Sequence, residues 1–390
     1  MSGPARGPAS GHGASLPGHR PRAATSTTAG SGVRRAAAPR RWGADAPAKI
    51  NLALEVVGRR PDGFHELRSV FAPLALADEL TVSPLGPVAV ASGEDLLAID
   101  GAPGLETGGN LVLRAAALLR RDALPGEAVP PGTPAAPRAG RAPACGPLAF
   151  RLRKRIPVAA GLGGGSSDAL AALDLAAAAW GLRPGARRRR ELAAALGSDV
   201  PFFALGTWAH VTGRGEVLRR LPAPAGGPLG VLLVVPAARL STRDVFAALD
   251  AAGGAGAAPD TAAAPDTAAA AGPGTPPPGA RRGAAAALAA AIRGGADACD
   301  IAATEPANDL LPAAAALMPE LEPLRQALAA LLGRHVHLSG SGPTLAVLYP
   351  SPGAARRAAA IVRAAVARGA LPQPGGSLDV IATRTLGGEP

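Results

Sequence analysis

The 390-residue sequence is poor in several residue types, and each shortage narrows what the protein can be. Its two cysteines, Cys145 and Cys299, lie far apart in the chain. Two distant cysteines do not form a disulfide framework, so they favour a reducing compartment and predict a cytoplasmic protein. No uninterrupted apolar run reaches the length of about 18 residues that a membrane span needs, so no membrane partner is expected.

Acidic residues are missing from the first 42 positions, which hold seven arginines. This segment therefore carries more than half of the net charge of +11. Because it is rich in glycine, proline, alanine and serine, residues 1–42 are predicted to be a disordered basic extension. An organelle transit peptide and a weak nucleic-acid-binding tail are alternatives, although the glycines and prolines disfavour the amphipathic helix of a transit peptide.

Lysine is also scarce, since only Lys49 and Lys154 stand among 40 basic side chains. A chain that prefers arginine keeps a lysine most readily where a wide guanidinium cannot replace a compact ammonium. We expect such a position for Lys49. Lys154 stands between two arginines and is interpreted as a chance survival.

The length suits two domains, predicted over residues 43–225 and 226–390. Residues 122–147 are rich in proline, glycine and alanine and are predicted to be a surface insertion. Residues 251–281 are of low complexity, with two APDTAA copies, and are predicted to be a disordered insertion.

Glycine, by contrast, is concentrated between a strand-like basic run and a long Ala/Leu run. Glycines leave backbone N–H groups uncovered, and the following helix N-terminus attracts anions. The pattern therefore predicts a phosphate cradle, although a flexible glycine turn capped by serine also fits. The residues of this predicted phosphate cradle are Pro157, Val158, Ala159, Ala160, Gly161, Leu162, Gly163, Gly164, Gly165, Ser166 and Ser167.

This loop lacks the lysine of a Walker sequence, and Ser166 stands where a dinucleotide fingerprint has its third glycine. P-x-x-x-G-L-G-G-G-S-S instead resembles the second motif of the GHMP kinases, the superfamily of galactose, homoserine, mevalonate and phosphomevalonate kinases. S-G-S-G-P-T at 339–344 resembles the third motif, so Gly340, Ser341 and Gly342 are predicted to approach the phosphate loop from the other domain.

That resemblance implies an α+β fold of two domains, with ATP and Mg²⁺ as cofactors. The N-terminal domain is expected to be a mixed sheet with helices, and the C-terminal domain a ferredoxin-like unit. The active site is expected in the cleft between the two domains. The resemblance does not assign the Mg²⁺ ligands.

Two further segments lie close together near the start of the first domain. The alternation from Lys49 to Val56 predicts a half-buried strand, on which Lys49 and Asn51 share a face about 7 Å apart. Pro-Asp-Gly then reverses the chain, and Phe64 and His65 open a second strand. From composition alone, this aromatic–histidine pair fits a nucleobase site and a core plug equally well.

P-A-K-I-N-L followed by R-P-D-G-F-H resembles the branch of the GHMP kinases that acts on a cytidyl diphosphate sugar alcohol in the non-mevalonate route to isoprenoids. The resemblance implies that Phe64 and His65 contact the substrate. It also makes Phe246 a candidate for the second face of a cytosine sandwich, although a helix residue facing the core fits Phe246 as well.

L-G-S-D-V-P-F-F at 196–203 places Asp199 in a predicted turn before an apolar strand over 202–211. In the branch that this segment resembles, the aspartate is the catalytic base. The resemblance implies that Lys49 lies beside Asp199 and stabilises developing negative charge, and that Asn51 orients the acceptor hydroxyl.

The predicted function is ATP-dependent phosphorylation of the 2-hydroxyl of a cytidyl diphosphate sugar alcohol by a monomer or homodimer. Another GHMP small-molecule kinase, of the mevalonate or homoserine type, is the first alternative. A nucleic-acid-binding protein that uses the basic tail is the second, and it does not explain why glycine-rich loops recur in kinase order.

Overall fold

The structure, a computed structural model, describes residues 22–23, 40–85, 94–105, 107–123, 145–253, 282–305 and 307–387. Most of the predicted basic extension and of the two predicted insertions lies outside these residues. Within 1–39 the described part is a two-residue strand, which pairs with the strand that begins at Trp42.

The strands are β1 (Arg22–Ala23), β2 (Trp42–Arg59), β3 (His65–Pro84), β4 (Leu96–Asp100), β5 (Leu148–Arg153), β6 (Ala209–Gly213), β7 (Val217–Arg220), β8 (Gly230–Pro236), β9 (Ala307–Asn308), β10 (His337–Leu338), β11 (Leu345–Tyr349) and β12 (Leu378–Arg384). The helices are α1 (Leu111–Ala123), α2 (Gly164–Trp180), α3 (Ala186–Leu196), α4 (Val200–Leu205), α5 (Thr242–Ala251), α6 (Ala284–Arg293), α7 (Ala298–Ala303), α8 (Leu311–Leu317), α9 (Leu321–Leu332) and α10 (Pro352–Ala367).

The first sheet is built on the long β2–β3 hairpin, whose turn contains the Pro-Asp-Gly sequence. Its path runs β1-β2-β3-β5-β4, while β6 extends from β3 and carries β7. The pairs β4–β5 and β2–β9 are parallel and the others antiparallel, so this is the mixed sheet that the resemblance to the GHMP kinases implies. Helices α1 and α2 pack together and bury one face of it.

The second sheet has the strand order β10-β11-β8-β12, and all its neighbours are antiparallel. Numbered within this half, the order is 2-3-1-4, with the last strand beside the first. That order is the one a ferredoxin-like βαββαβ unit requires. The prediction is therefore confirmed, although several helices, not one, stand between β8 and β10.

The prediction that β2 is half-buried is wrong, because every residue from Ala48 to Val56 is buried. Helix α2 packs against β2. Ile50 and Leu52 lie in a core shared with Leu233 of the second sheet. The polar side chains of this part of β2 are therefore enclosed by protein and must find partners inside it.

The apolar strand predicted over 202–211 is also wrong, because residues 200–205 form helix α4 and the strand begins at Ala209. Pro201 lies in the first helical turn, where the missing N–H costs no hydrogen bond. Gly206, with φ +70°, ends the helix. Asp199 is consequently the residue that precedes a helix, not a strand. Within the described ranges, no helix is long and apolar enough to cross a membrane.

Candidate active site

The glycine loop connects β5 to α2, and the helix begins inside the glycines at Gly164. Gly163 precedes the helix with φ +70°, a left-handed conformation that favours glycine. The two serines lie in the first helical turn, so the cap is Gly163 and not a serine. The free N–H groups of that turn therefore open toward the loop, as in other anion sites at helix starts.

The loop is held from both halves of the chain. The carbonyl of Leu162 accepts a hydrogen bond from the backbone N–H of Lys49, at 2.9 Å. The carbonyl of Gly161 accepts one from the hydroxyl of Ser339, at 3.2 Å. A Cβ added to Gly161 would lie 2.2 Å from the carbonyl oxygen of Ser339. The S-G-S-G-P-T segment thus touches the phosphate loop through backbone that only glycine permits.

Replacing Gly161 by alanine is expected to push these two segments apart. The new Cβ would clash with Ser339 and would also sit at φ +73°, where a side chain costs about 1–2 kcal/mol. We expect KM for ATP to rise about tenfold or more, because displaced donors bind phosphate poorly. Steady-state kinetics at varied ATP concentration measures this.

Gly181→Ala is the matched control, since Gly181 has φ +69° but nothing within 4 Å of an added Cβ. The Gly181→Ala variant should be less stable, because alanine is strained in the left-handed conformation, but its KM for ATP should not change. Equal KM values in the two variants would show that contact between the segments does not matter.

Lys49 and Asp199 meet beside the loop, with 3.6 Å between Nζ and Oδ2. Lys49 is only 4% exposed, whereas the Asp199 side chain is 32% exposed. The lysine stem passes under Gly163, where an added Cβ would lie 2.9 Å from its Cγ. Its Nζ lies 4.6 Å from the centre of the Phe71 ring, a cation–π contact, and donates to Asn51 Oδ1 at 2.6 Å.

Asn51 is enclosed with Lys49 and continues this hydrogen-bond chain. Its amide nitrogen donates to the hydroxyl of Ser69 at 3.0 Å, and that hydroxyl donates to the carbonyl of Ala53. The amide oxygen is therefore fixed toward Lys49. Ser69 was not singled out in the sequence, because its partnership with Asn51 depends on the register of the β2–β3 hairpin.

The residues predicted to hold the base lie at the exit of the hairpin and on α5. The rings of His65 and Phe246 stack on each other, with centroids 4.7 Å apart and an angle of 27°. His65 Nε2 lies 2.7 Å from a carboxylate oxygen of Asp250. Phe64 is 54% exposed, and the guanidinium of Arg214 lies 4.7 Å from its ring centre. One large aromatic face is thus open to solvent near a histidine held by a carboxylate.

The interpretation of Lys154 as a chance survival is wrong, because this lysine is buried between Asp78 and Asp168. Asp168 stands next to Ser167 at the start of α2, so the cluster adjoins the glycine loop. Burial raises the pKa of Asp168 to about 7. The scarcity of lysine, which drew attention to Lys49, was a signal for Lys154 as well.

A cavity of about 370 Å³ opens beside the first residues of the glycine loop. Its lining comes from both halves of the chain, including residues 157–160 and 235–239. This volume lies within the range of small-molecule sites and adjoins the loop that would hold phosphates. The arrangement therefore provides room for an organic group attached to those phosphates.

The hydroxyl of Ser167 is buried and has no hydrogen-bond partner in the described part of the chain. It stands in the first turn of α2, next to the loop. Among the described residues, no group of three or more His, Cys, Asp or Glu side chains could hold a metal ion by itself.

Comparison with known proteins agrees with this geometry. Residues 110–207 match the GHMP kinases N terminal domain, and residues 284–368 match the GHMP kinases C terminal family. A Kineococcus radiotolerans protein named 4-diphosphocytidyl-2-C-methyl-D-erythritol kinase is 38% identical over 81% of this chain and 84% of its own. One of that name from Pelotomaculum thermopropionicum is 38% identical over 82% and 92%.

A crystal structure of 4-(cytidine 5'-diphospho)-2C-methyl-D-erythritol kinase is 34% identical and superposes with a TM-score of 0.57. It covers 88% of this chain and all of that chain. The two sheets and the glycine loop thus define a GHMP kinase. With this identity over most of the relatives' length, the chain belongs to the family of 4-diphosphocytidyl-2-C-methyl-D-erythritol kinases.

Proposed function

We propose that this chain transfers the γ-phosphoryl group of ATP to the 2-hydroxyl of 4-diphosphocytidyl-2-C-methyl-D-erythritol, in isoprenoid precursor biosynthesis. The observation that carries the proposal is the Lys49–Asp199 pair, which lies beside a glycine loop at a helix start. An ammonium and a partly exposed carboxylate at that place suit the transfer of a phosphoryl group to an alcohol. The relatives named above support the choice of acceptor.

ATP is bound by the loop from Pro157 to Ser167, through backbone N–H groups and the positive end of α2. The 339–342 segment holds the loop in shape from the second half of the chain. The adenosine part of ATP occupies the cavity beside the first residues of the glycine loop. The active site therefore lies between the two halves.

Asp199 is the base that accepts the proton of the substrate hydroxyl. An aspartate is sufficient, because the loose transition state of phosphoryl transfer releases that proton late. Lys49, held in place by Asn51, supplies a fixed positive charge near the phosphoryl group and the attacking oxygen. The amide oxygen of Asn51 accepts a hydrogen bond from Lys49. Asn51 therefore positions Lys49 and, through Lys49, the substrate hydroxyl.

Mg²⁺ fits the site as a cation that the ATP phosphates hold together with few protein ligands. The hydroxyl of Ser167 is the protein oxygen that would bind it. When bound, the ion would supply positive charge that offsets the charge of the phosphates.

The cytosine base is held by Phe64 and His65, and Phe246 supports His65. The exposed ring of Phe64 offers a flat face for stacking, which is worth about 1–3 kcal/mol per base in other proteins. Asp250 fixes the imidazole of His65, so that its other ring nitrogen is directed to the ligand. Phe246 supports the imidazole from behind through the stacked contact.

Phe64→Ala should raise KM for the cytidyl substrate about tenfold and leave KM for ATP nearly unchanged, since only stacking on the base is lost. The ring is mostly exposed, so the fold should not be affected. Ile361→Ala is the matched control, because Ile361 is a similarly exposed apolar residue on α10. Equal increases in both KM values for Phe64→Ala would argue against base stacking.

The enzyme is further proposed to work in the cytoplasm, as a monomer or homodimer and without nucleic acid. Cys145 and Cys299 are both free thiols, which suits a reducing compartment. Removing residues 1–39, which spares Trp42 at the start of β2, should then leave turnover unchanged, and size-exclusion chromatography with light scattering gives the oligomeric state.

A substrate panel tests the proposed function. ATP consumption is measured with 4-diphosphocytidyl-2-C-methyl-D-erythritol, mevalonate or homoserine as acceptor. The proposal predicts turnover with the cytidyl compound and none above background with the other two. Turnover with mevalonate or homoserine alone would assign the chain to another GHMP kinase activity.

A further inference from the structure

A buried ion cluster lies behind the phosphate loop and contacts the elements at both of its ends. Lys154 follows β5, Asp78 belongs to β3 and Asp168 lies on α2. The ammonium of Lys154 donates to Asp78 and, at 2.8 Å, to Asp168. All three side chains are almost fully enclosed. The loop from Ile156 to Ser167 contains no charged residue of its own.

Asp78 also holds the chain where it enters the loop. One of its carboxylate oxygens accepts hydrogen bonds from the backbone N–H groups of Arg155 and Ile156, at 2.5 and 2.8 Å. The other oxygen binds Lys154. Because Asp168 lies at the exit of the loop, the three residues fix the distance between its two arms.

The ammonium also packs directly against the loop. A Cβ added to Gly164 would lie 3.2 Å from Lys154 Nζ, so the glycine leaves room for the lysine head. Lys49 passes under the neighbouring Gly163 in the same way. The two lysines of the sequence therefore support adjacent glycines, one at the reacting side and one behind the loop.

Buried ion pairs of this kind are costly to desolvate and are often no better for stability than apolar packing. Their value lies in fixed geometry, since both the ammonium and the carboxylates need directed partners. A wider arginine does not suit a pocket that encloses a single ammonium nitrogen, although the chain uses arginine at every Lys/Arg position except 49 and 154.

We propose that Lys154, Asp78 and Asp168 are positioning residues that set the shape of the phosphate loop and thereby its affinity for ATP. They act through the loop backbone, which they hold at both ends. The proposal rests on the proposed function, because it assigns the loop to ATP.

The test compares Asp168→Ala and Lys154→Met with Asp168→Asn. Both of the first two variants break the bridge, so we expect KM for ATP to rise about tenfold or more while KM for the cytidyl substrate changes less than about threefold. Asparagine keeps an oxygen that can accept a hydrogen bond from Lys154. Asp168→Asn is therefore expected to recover most of the affinity for ATP that Asp168→Ala loses.

Leu324→Ala controls for a general loss of stability. Leu324 is fully buried in the core of the second half, on α9, and its truncation should lower the Tm without raising KM for ATP. Binding of a non-hydrolysable ATP analogue, measured by calorimetry, serves as a second readout where turnover is weak. It also gives a result for any variant that folds.

Folded Asp168→Ala and Lys154→Met enzymes with unchanged affinity for ATP would overturn the positioning role. So would an Asp168→Asn enzyme as impaired as Asp168→Ala, because the retained oxygen would then have no effect. If the wild-type protein itself neither binds ATP nor phosphorylates the cytidyl substrate, the proposed function fails instead.

Discussion

Replacing Asp199 by asparagine is expected to lower kcat by about 10²- to 10⁴-fold, the usual contribution of a positioned base. The amide has the same size but cannot accept the hydroxyl proton. Affinity for ATP should hardly change, because the loop binds the nucleotide through its backbone. Asp199 makes no side-chain cap bond to α4 among the described residues, so the fold should tolerate the change. Pre-steady-state and steady-state turnover at saturating substrates measure the effect.

Asp122→Asn is the control for removing a carboxylate that pairs with a basic side chain. Asp122 lies on α1 and pairs with Arg188 of α3. Neither residue belongs to the proposed site. Its variant should keep its kcat. Near-normal turnover in Asp199→Asn would remove this carboxylate from the mechanism.

Replacing Lys49 by methionine is expected to lower kcat by about 10²- to 10³-fold, as the loss of a single charge-stabilising donor does elsewhere. Methionine keeps the unbranched stem that passes under Gly163 and can still pack on Phe71. The change therefore removes mainly the charge. It also leaves the oxygen of Asn51 without its donor, at a cost of about 1–3 kcal/mol in stability.

Lys49→Arg separates charge from geometry. A guanidinium carries the same charge but is too wide for the space that Gly163 leaves, so we expect it to restore little of the lost rate. Tm values for both variants show how much of the effect is structural. An arginine enzyme with wild-type turnover would show that any cation at this place is sufficient.

The double variant Lys49→Met/Asp199→Asn tests whether the pair acts as one unit. Groups that act together lose activity non-additively, so the double variant should be scarcely slower than the worse single one. Multiplication of the two single effects would instead indicate that the lysine and the aspartate contribute independently.

The glycine loop could be predicted from the sequence because it has a local signature, whereas the mixed type of the first sheet was implied by the resemblance to the GHMP kinases. Glycines between a strand and a helix have few other uses, and the βαββαβ order fixes a ferredoxin-like sheet. Helix α4 could not be identified in the same way. A run of six apolar residues does not distinguish a buried strand from a buried helix, and Pro201 suits the start of either.

The buried polar contacts were harder to predict from the sequence, because they depend on residues that are distant in the chain. Ser69 stands 18 residues from Asn51, and irregularities in the β2–β3 register make its partner hard to count along the strands. Lys154 meets Asp78 from 76 residues away. Only its residue type, rare in this chain, marked the position, and its arginine neighbours obscured that signal.

The central claim is most directly tested by nuclear magnetic resonance of the product made from ATP and 4-diphosphocytidyl-2-C-methyl-D-erythritol. Carbon 2 of the acceptor carries a methyl group and no hydrogen. A phosphate on its oxygen should therefore give a ³¹P phosphomonoester signal without three-bond coupling to a proton. Such a signal, equal in amount to the ADP formed, is the predicted result. A proton-coupled ester signal, or inorganic phosphate alone, would contradict the account.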